Sequence, residues 1–167
     1  MTRVVIAATP RHAAQIESLF LNRNPVVDVE GVDKLVRLKA LDADECGLDR
    51  IPEWLEDVEM LEYLHVRVNL LVELPEWFMS KPSLKGVDCS RNVRMRNVAS
   101  PGRNLSFLNL SECDVKSLPD DLFFHRLKVV YLKGNRGTWL LECLFISMYV
   151  CLFVWVFWAA CLLVMNL

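Results

Sequence analysis

The amino-acid sequence repeats itself at an interval of about 22 residues. Six nine-residue segments share one order of apolar and polar positions, and a period of this length predicts a solenoid. In a solenoid each repeat forms one coil that packs only on its neighbours. The segments are IESLFLNRN from Ile16, LKALDADEC from Leu38, LEYLHVRVN from Leu61, LKGVDCSRN from Leu84, LSFLNLSEC from Leu105 and LKVVYLKGN from Leu127.

The ninth position of every segment holds asparagine or cysteine. In a stacked coil this residue lies in the turn that leaves the strand, where backbone carbonyl groups of neighbouring coils are buried and need donors. Asparagine offers two amide donors, and cysteine offers a weaker S–H donor. We therefore expect a structural ladder of hydrogen bonds, rather than a redox or catalytic site, from Asn24, Cys46, Asn69, Asn92, Cys113 and Asn135.

A second pattern follows the ninth residue in three of the repeats: GLDRIPEWL, LLVELPEWF and DVKSLPDDL, with Pro52, Pro75 and Pro119 in one position. The two patterns together resemble the leucine-rich repeat family, LxxLxLxxNxLxxLPxxLxx, over nearly all of residues 4–137. The resemblance implies an α/β solenoid, a right-handed superhelix with short parallel strands on its concave side and looser or helical segments on its convex side. The LPxxL type is similar to plant nucleotide-binding immune receptors and to intracellular scaffold proteins.

The repeats divide the chain into a solenoid of residues 1–137 and a C-terminal segment of residues 138–167. Residues 6–16 fit the closing half of a further repeat, with Pro10 in the proline position, so we expect a partial repeat before residue 16. We interpret the array as a piece of a longer one, because no polar cap is evident before it. Residues 93–104 depart from the pattern, since Arg94 stands where an apolar residue is expected, and this coil is expected to be distorted.

The last 25 residues, 143–167, contain no charged residue, although the chain has 19 Lys+Arg and 21 Asp+Glu. As a helix they would span roughly 37 Å, enough to cross a hydrocarbon core of about 30 Å. They therefore predict a transmembrane helix. Because Lys128, Lys133 and Arg136 precede it, the repeats are expected in the cytoplasm, in a tail-anchor-like arrangement. The alternative is an error in the gene model, which would leave a soluble cytoplasmic protein.

Two columns of side chains that the core does not use form the predicted partner-binding surface on the concave side. The first column is expected to bring together Phe20, Asp42, His65, Asp88, Asn109 and Tyr131, because neighbouring parallel strands lie about 4.8 Å apart. In the second column Asp44 is expected to pair with Arg67. Phe20 and Tyr131 are the best candidates for anchors, since exposed aromatic rings bury a large area on binding.

Other classes of function have little support in the sequence. The net charge is −2 and there is no basic stripe, so we expect no nucleic-acid partner. Motifs of phosphate-binding loops, zinc proteases and nucleophile elbows are missing, so we expect no enzyme activity, no cofactor and no small-molecule substrate. A metal bound by Asp42, His65 and Asp88 is less favoured than a charge-balanced surface.

The sequence therefore predicts a non-catalytic module for protein–protein recognition, tethered to a membrane and acting in defence or signalling. The alternative is a fragment of a longer receptor of the same family, either an immune receptor or an ectodomain that senses a ligand. For an ectodomain, the two glycosylation sequons at Asn104 and Asn109 would be significant.

Overall fold

The computed structural model describes residues 2–5, 10–120, 122 and 127–135. The predicted C-terminal segment of residues 138–167, including the transmembrane helix of residues 143–167, lies outside the described residues. Within the described ranges, no helix is both long enough and apolar enough to span a bilayer.

The described residues form short elements. The strands are β1 (Thr2–Val5), β2 (Ser18–Phe20), β3 (Val26–Glu30), β4 (Ala40–Asp42), β5 (Tyr63–His65), β6 (Glu73–Leu74), β7 (Gly86–Asp88), β8 (Asn97–Val98), β9 (Phe107–Asn109) and β10 (Val129–Tyr131). The helices are α1 (Pro10–Ala13) and α2 (Glu76–Met79), with 3-10 turns at Val32–Lys34 and Glu53–Glu56.

Six of the strands make one parallel sheet in the order β2, β4, β5, β7, β9, β10. Each of them begins two residues after the start of a repeat, and their central residues lie in register: Leu19, Leu41, Leu64, Val87, Leu108 and Val130. Consecutive repeats thus place consecutive strands side by side. The solenoid that the repeat period predicts is confirmed as a parallel-strand solenoid.

The core runs along the inside of the stacked coils. Each coil contributes apolar side chains from the strand and from the segment that follows the ninth residue. In the third coil Leu61, Leu64 and Val66 come from the strand side, and Leu71 and Phe78 from the opposite side; all five are fully buried. Removing such side chains from water is the main favourable term in folding, at about 25 cal/mol per Å² of apolar surface.

Proline marks the start of the helical turns opposite the sheet. The 3-10 turn Glu53–Glu56 follows Pro52, helix α2 follows Pro75, and helix α1 begins at Pro10. Proline suits these positions because the N–H groups at the start of a helix have no partner within the helix, so the missing N–H of proline costs nothing there. The helices are single turns of four residues, so the described part of the chain is a parallel β-solenoid with little α-helix.

Two further pairs of strands were not expected from the sequence. β1 pairs with β3, and β6 pairs with β8, both in parallel. Strand β8 of the second pair lies in residues 93–104, where a distorted coil was expected. Met95, one residue after Arg94, is buried instead of it, and Val98 pairs with Leu74. The spacing from Asn92 to the next buried position is therefore one residue longer than in the preceding coil, and β8 still pairs in register with β6.

The residue immediately before each ninth-position residue has a positive φ. These angles are 61° at Arg23, 55° at Glu45, 54° at Val68, 62° at Arg91, 56° at Glu112 and 77° at Gly134. The left-handed conformation costs an L-residue about 1–2 kcal/mol, and a β-branched side chain is the least suited to it. Val68 is thus the least favourable of the six residues at this turn.

Replacing Val68 by asparagine is expected to raise the free energy of unfolding by about 1 kcal/mol, because asparagine tolerates the left-handed region. Little burial is lost, since Val68 is 44% exposed. The control is Val72→Asn, because Val72 is 45% exposed and has an ordinary φ. Urea denaturation of the full chain in detergent micelles, followed by circular dichroism, measures both changes. An equal effect of the two substitutions would contradict the strain at Val68.

Candidate functional site

The outward side chains of the six-stranded sheet form what we call the strand face. The third residues of the strands make one column in register: Phe20, Asp42, His65, Asp88, Asn109 and Tyr131. The structure thus brings six of the eight predicted partner-binding residues into a single row. Phe20 is highly accessible, with 71% of its surface exposed.

Three polar side chains in this column bend back onto the turn that follows their strand. Asp42 Oδ1 accepts a hydrogen bond from the Asp44 N–H at 3.1 Å, and Asn109 Oδ1 accepts one from the Ser111 N–H at 3.0 Å. Asp88 Oδ1 accepts from both the N–H and the hydroxyl of Ser90, at 3.1 and 2.8 Å. Such Asx turns replace missing backbone partners, so these side chains have fixed orientations.

Asp44 and Arg67, in the next column, form the expected ion pair. Arg67 Nε donates to Asp44 Oδ2 at 2.7 Å, and the Arg67 N–H donates to Asp44 Oδ1 at 2.6 Å. The hydrogen bond and the charge of Asp44 raise the pKa of Arg67. Asp44 itself is only 5% exposed, because both carboxylate oxygens are turned toward Arg67. Asp44 therefore positions Arg67, whose side chain remains accessible, and the role of Asp44 in partner binding stays a prediction.

Asn69 shows what the ninth position does. Its amide nitrogen donates to the carbonyl of Ala43 in the preceding coil and to that of Val66 in its own, both at 2.9 Å. Its Oδ1 accepts from the N–H groups of Cys46 and Leu48, both at 3.0 Å. Four buried backbone groups of two coils are thus paired by one side chain.

The other asparagines of the ladder follow the same geometry where a preceding coil is present. Asn92 donates to Val66 O and Cys89 O, and Asn135 donates to Leu110 O and Leu132 O. Asn24, in the first coil of the sheet, is exposed, and within the described residues it donates to carbonyl groups of its own turn alone. The number of backbone groups with which a ladder residue forms hydrogen bonds therefore depends on the position of its coil in the solenoid.

Cysteine performs part of the same task at the two remaining positions. Cys46 Sγ lies 3.2 Å from Leu21 O, and Cys113 Sγ lies 3.4 Å from Cys89 O. Burial raises the pKa of the Cys46 thiol, and it raises the pKa of Cys113 to about 11. Both thiols therefore keep the proton that they donate, and neither has the lowered pKa of a reactive cysteine.

The strand face also carries an aromatic strip that the sequence reasoning missed. A Cβ atom added to Gly86 would lie 2.9 Å from Tyr63 Cδ1 and 3.6 Å from Phe107 Cβ, so the Tyr63 ring lies over the glycine. The rings of Phe107 and Tyr131 meet edge to face, with centroids 6.0 Å apart. We call Tyr63, Gly86, Phe107 and Tyr131 the aromatic strip. The sequence contained a signal for this strip, because Tyr63, Gly86 and Phe107 all occupy the third position of their nine-residue segments.

Lys81 is a second residue that the sequence reasoning missed. It occupies the position of Val58 in the preceding coil and is buried. Its Nζ donates to Glu56 O at 3.0 Å and to Val58 O at 3.3 Å, at the end of the 3-10 turn. Burial lowers the pKa of Lys81. Its contacts are those of a structural tie between two coils, on the side opposite the strand face.

In the part of the chain that the structure describes, no group of three or more His, Cys, Asp or Glu side chains is arranged to hold a metal ion. Asp42, His65 and Asp88 lie in adjacent strands, but they do not form such a group. The chemistry that the strand face offers is hydrogen bonding, charge and aromatic contact area.

Comparison with known proteins gives distant likenesses among solved structures. No protein-family model matches the chain, and no curated protein matches it. Among solved structures, it is similar to a chain in the structure of the Toll–Spätzle complex, described as a molecular hub in Drosophila development and innate immunity. The identity is 16% and the TM-score 0.36, over 72% of this chain and 23% of that chain. The present chain thus matches less than a quarter of the length of that chain.

Replacing Asn69 by leucine is expected to lower the free energy of unfolding by at least about 3 kcal/mol, because four buried backbone groups lose their partners. Asn24→Leu is the matched control and should cost less than about 1 kcal/mol, since Asn24 is exposed and bonds only within its own turn. Urea denaturation compares the two variants with the wild-type chain. Equal losses of stability would contradict the assigned role of Asn69.

Proposed function

We propose that the chain is a non-catalytic protein-recognition module of leucine-rich repeats of the LPxxL type, which binds a protein partner through its strand face. Residues 143–167 are proposed to anchor it in a membrane, with the repeats on the cytoplasmic side. A role in defence or signalling belongs to the same proposal.

The observation that carries the proposal is the register of the column formed by the third residue of each strand. Phe20, His65 and Tyr131 are exposed in one row of six hydrogen-bonded strands, so their spacing is set by the backbone. The core and the ladder stabilise the strands from inside the solenoid. The fold therefore does not restrict which residue types stand at these three outward positions. A row of fixed spacing can contact one partner from several coils at once, which favours binding with little loss of conformational entropy.

The double substitution Phe20→Ala/His65→Ala is expected to remove most protein partners, since it deletes two exposed side chains of the row without touching the core. Affinity purification with a cross-linker, from cells that express the full chain, measures the loss. The matched control is Val36→Ala/Met60→Ala, because Val36 and Met60 are also exposed but lie outside the strand face. If both folded variants keep every partner, or if only the control loses them, the strand face is not the binding surface.

A receptor ectodomain is the second candidate function, and the exposure of Asn104 favours it. Asn104 lies in the sequon Asn104–Leu105–Ser106, on the surface, with its amide nitrogen 2.7 Å from Pro82 O. The second sequon begins at Asn109, which is half-buried in strand β9 and has both ends of its amide hydrogen-bonded. A glycan would therefore attach to Asn104 and not to Asn109.

If the repeats are cytoplasmic, treatment of the full chain from mammalian cells with a glycosidase should leave its electrophoretic mobility unchanged. N-linked glycosylation of sequons takes place only on the lumenal side of the secretory pathway, so the effect of an N-glycosidase on mobility reports the side on which the repeats lie. A shift that disappears in Asn104→Gln and persists in Asn109→Gln would replace the cytoplasmic proposal with the ectodomain.

A further inference from the structure

The aromatic strip gives the strand face a particular chemistry. Tyr63 is 45% exposed and Tyr131 is 39% exposed, so rings stand in solvent on both sides of Gly86 and Phe107. Together they form a continuous apolar surface across β5, β7, β9 and β10. Exposed rings of this kind provide contact area with few rotatable bonds, which is typical of binding surfaces.

The charges beside the strip determine which partner suits it. Most charged side chains around the face are paired between neighbouring coils: Lys39 Nζ lies 3.1 Å from Glu17 Oε2, and Lys85 Nζ lies 2.8 Å from Glu62 Oε2. Among the described residues, Asp42 and Asp88 have no Lys or Arg within ion-pair distance.

These two carboxylates are also held in place, since each accepts hydrogen bonds from the turn after its strand. A cation that reaches them does not have to order them first. Asp42 and Asp88 lie on either side of His65, in β4 and β7. The positive charge of Arg67 is near both, but Asp44 balances it, so this half of the face keeps an excess of negative charge. The exposed Lys128 and Lys133 flank β10, which places positive charge at the other end.

We propose that the strand face binds an extended segment of a protein partner that carries basic side chains over Asp42 and Asp88 and apolar side chains over the aromatic strip. This inference rests on the proposed function and adds the chemistry of the partner. A cation in this position is attracted by both carboxylates and by the face of the Tyr63 ring. The row from Phe20 to Tyr131 crosses five strand spacings, roughly 24 Å, which an extended segment of about seven residues covers.

The probe is a fluorescein-labelled peptide of nine residues in which two lysines precede two leucines, separated by glycine and serine. Its counterparts carry two glutamates or two glutamines in place of the lysines. Fluorescence anisotropy with the full chain in non-ionic detergent micelles gives the dissociation constants. We expect the lysine peptide to bind about tenfold more tightly than the glutamate peptide, since two solvent-exposed ion pairs contribute modestly.

Two variants test the assignment to Asp42 and Asp88. Asp42→Asn/Asp88→Asn keeps the oxygen that accepts from the turn and removes the charge, so the preference for lysine should disappear. His65→Lys places a fixed positive charge between the carboxylates and should have the same effect. The matched control is Glu53→Gln/Glu73→Gln, which changes the net charge equally at exposed positions outside the strand face and should leave the preference unchanged.

The outcomes separate this inference from the proposed function. If no peptide binds, or if the preference for lysine survives in both variants, the inference is wrong. If the glutamate peptide binds more tightly, and Phe20→Ala/His65→Ala still loses its protein partners, the strand face remains the recognition surface and only the basic character of the partner is wrong.

Discussion

The structure depends on the pairing of backbone groups where each coil leaves its strand. Inside the sheet, neighbouring strands pair each other's backbone N–H and C=O groups. In the turn after a strand, these groups point toward the neighbouring coil and away from water. An unpaired group of this kind costs about 1–3 kcal/mol. A solenoid whose turns left these groups unpaired would lose much of the stability that its core contributes. Asn69 pairs these groups, because its single side-chain amide forms hydrogen bonds with carbonyl and N–H groups of two coils.

The ladder has a cost that is visible in the backbone. To bring the ninth side chain inward, the residue before it takes a left-handed conformation in each of the six coils, and only Gly134 does so without strain. At Val68 and Arg91 the hydrogen bonds made by the next residue, Asn69 or Asn92, outweigh this strain. Ion pairs across this column, such as Arg23 with Glu45 and Arg91 with Glu112, are exposed and add little.

The sequence predicted the parts of the fold that depend on periodicity. The spacing of Leu41, Leu64 and Leu108 was sufficient to place the sheet strands and their register, because each coil repeats the same constraints. It was not sufficient at Met95, where an extra residue shifts the buried position and makes Arg94 look like a defect. Nor did it show that Asp44 is buried, since the hydrogen bond from the Arg67 N–H depends on a turn geometry that residue types alone do not specify.

The same limit explains what was missed on the strand face. The column of third strand residues, from Phe20 to Tyr131, was predicted because it contains charged and aromatic residues. The column of first strand residues contains serine, alanine and glycine as well as Tyr63 and Phe107, and its aromatic character is evident only when the coils are stacked. Gly86 then matters for what it lacks, because the absence of a side chain gives the Tyr63 ring room to lie across the sheet. A residue with no side chain thus helps to shape the surface on which a partner would rest. Asp88, two residues after Gly86 in β7, accepts hydrogen bonds from its turn and has no Lys or Arg partner among the described residues. In the proposed binding mode, Asp42 and Asp88 would each serve both stability and recognition with one carboxylate, whereas the core and the ladder serve stability alone.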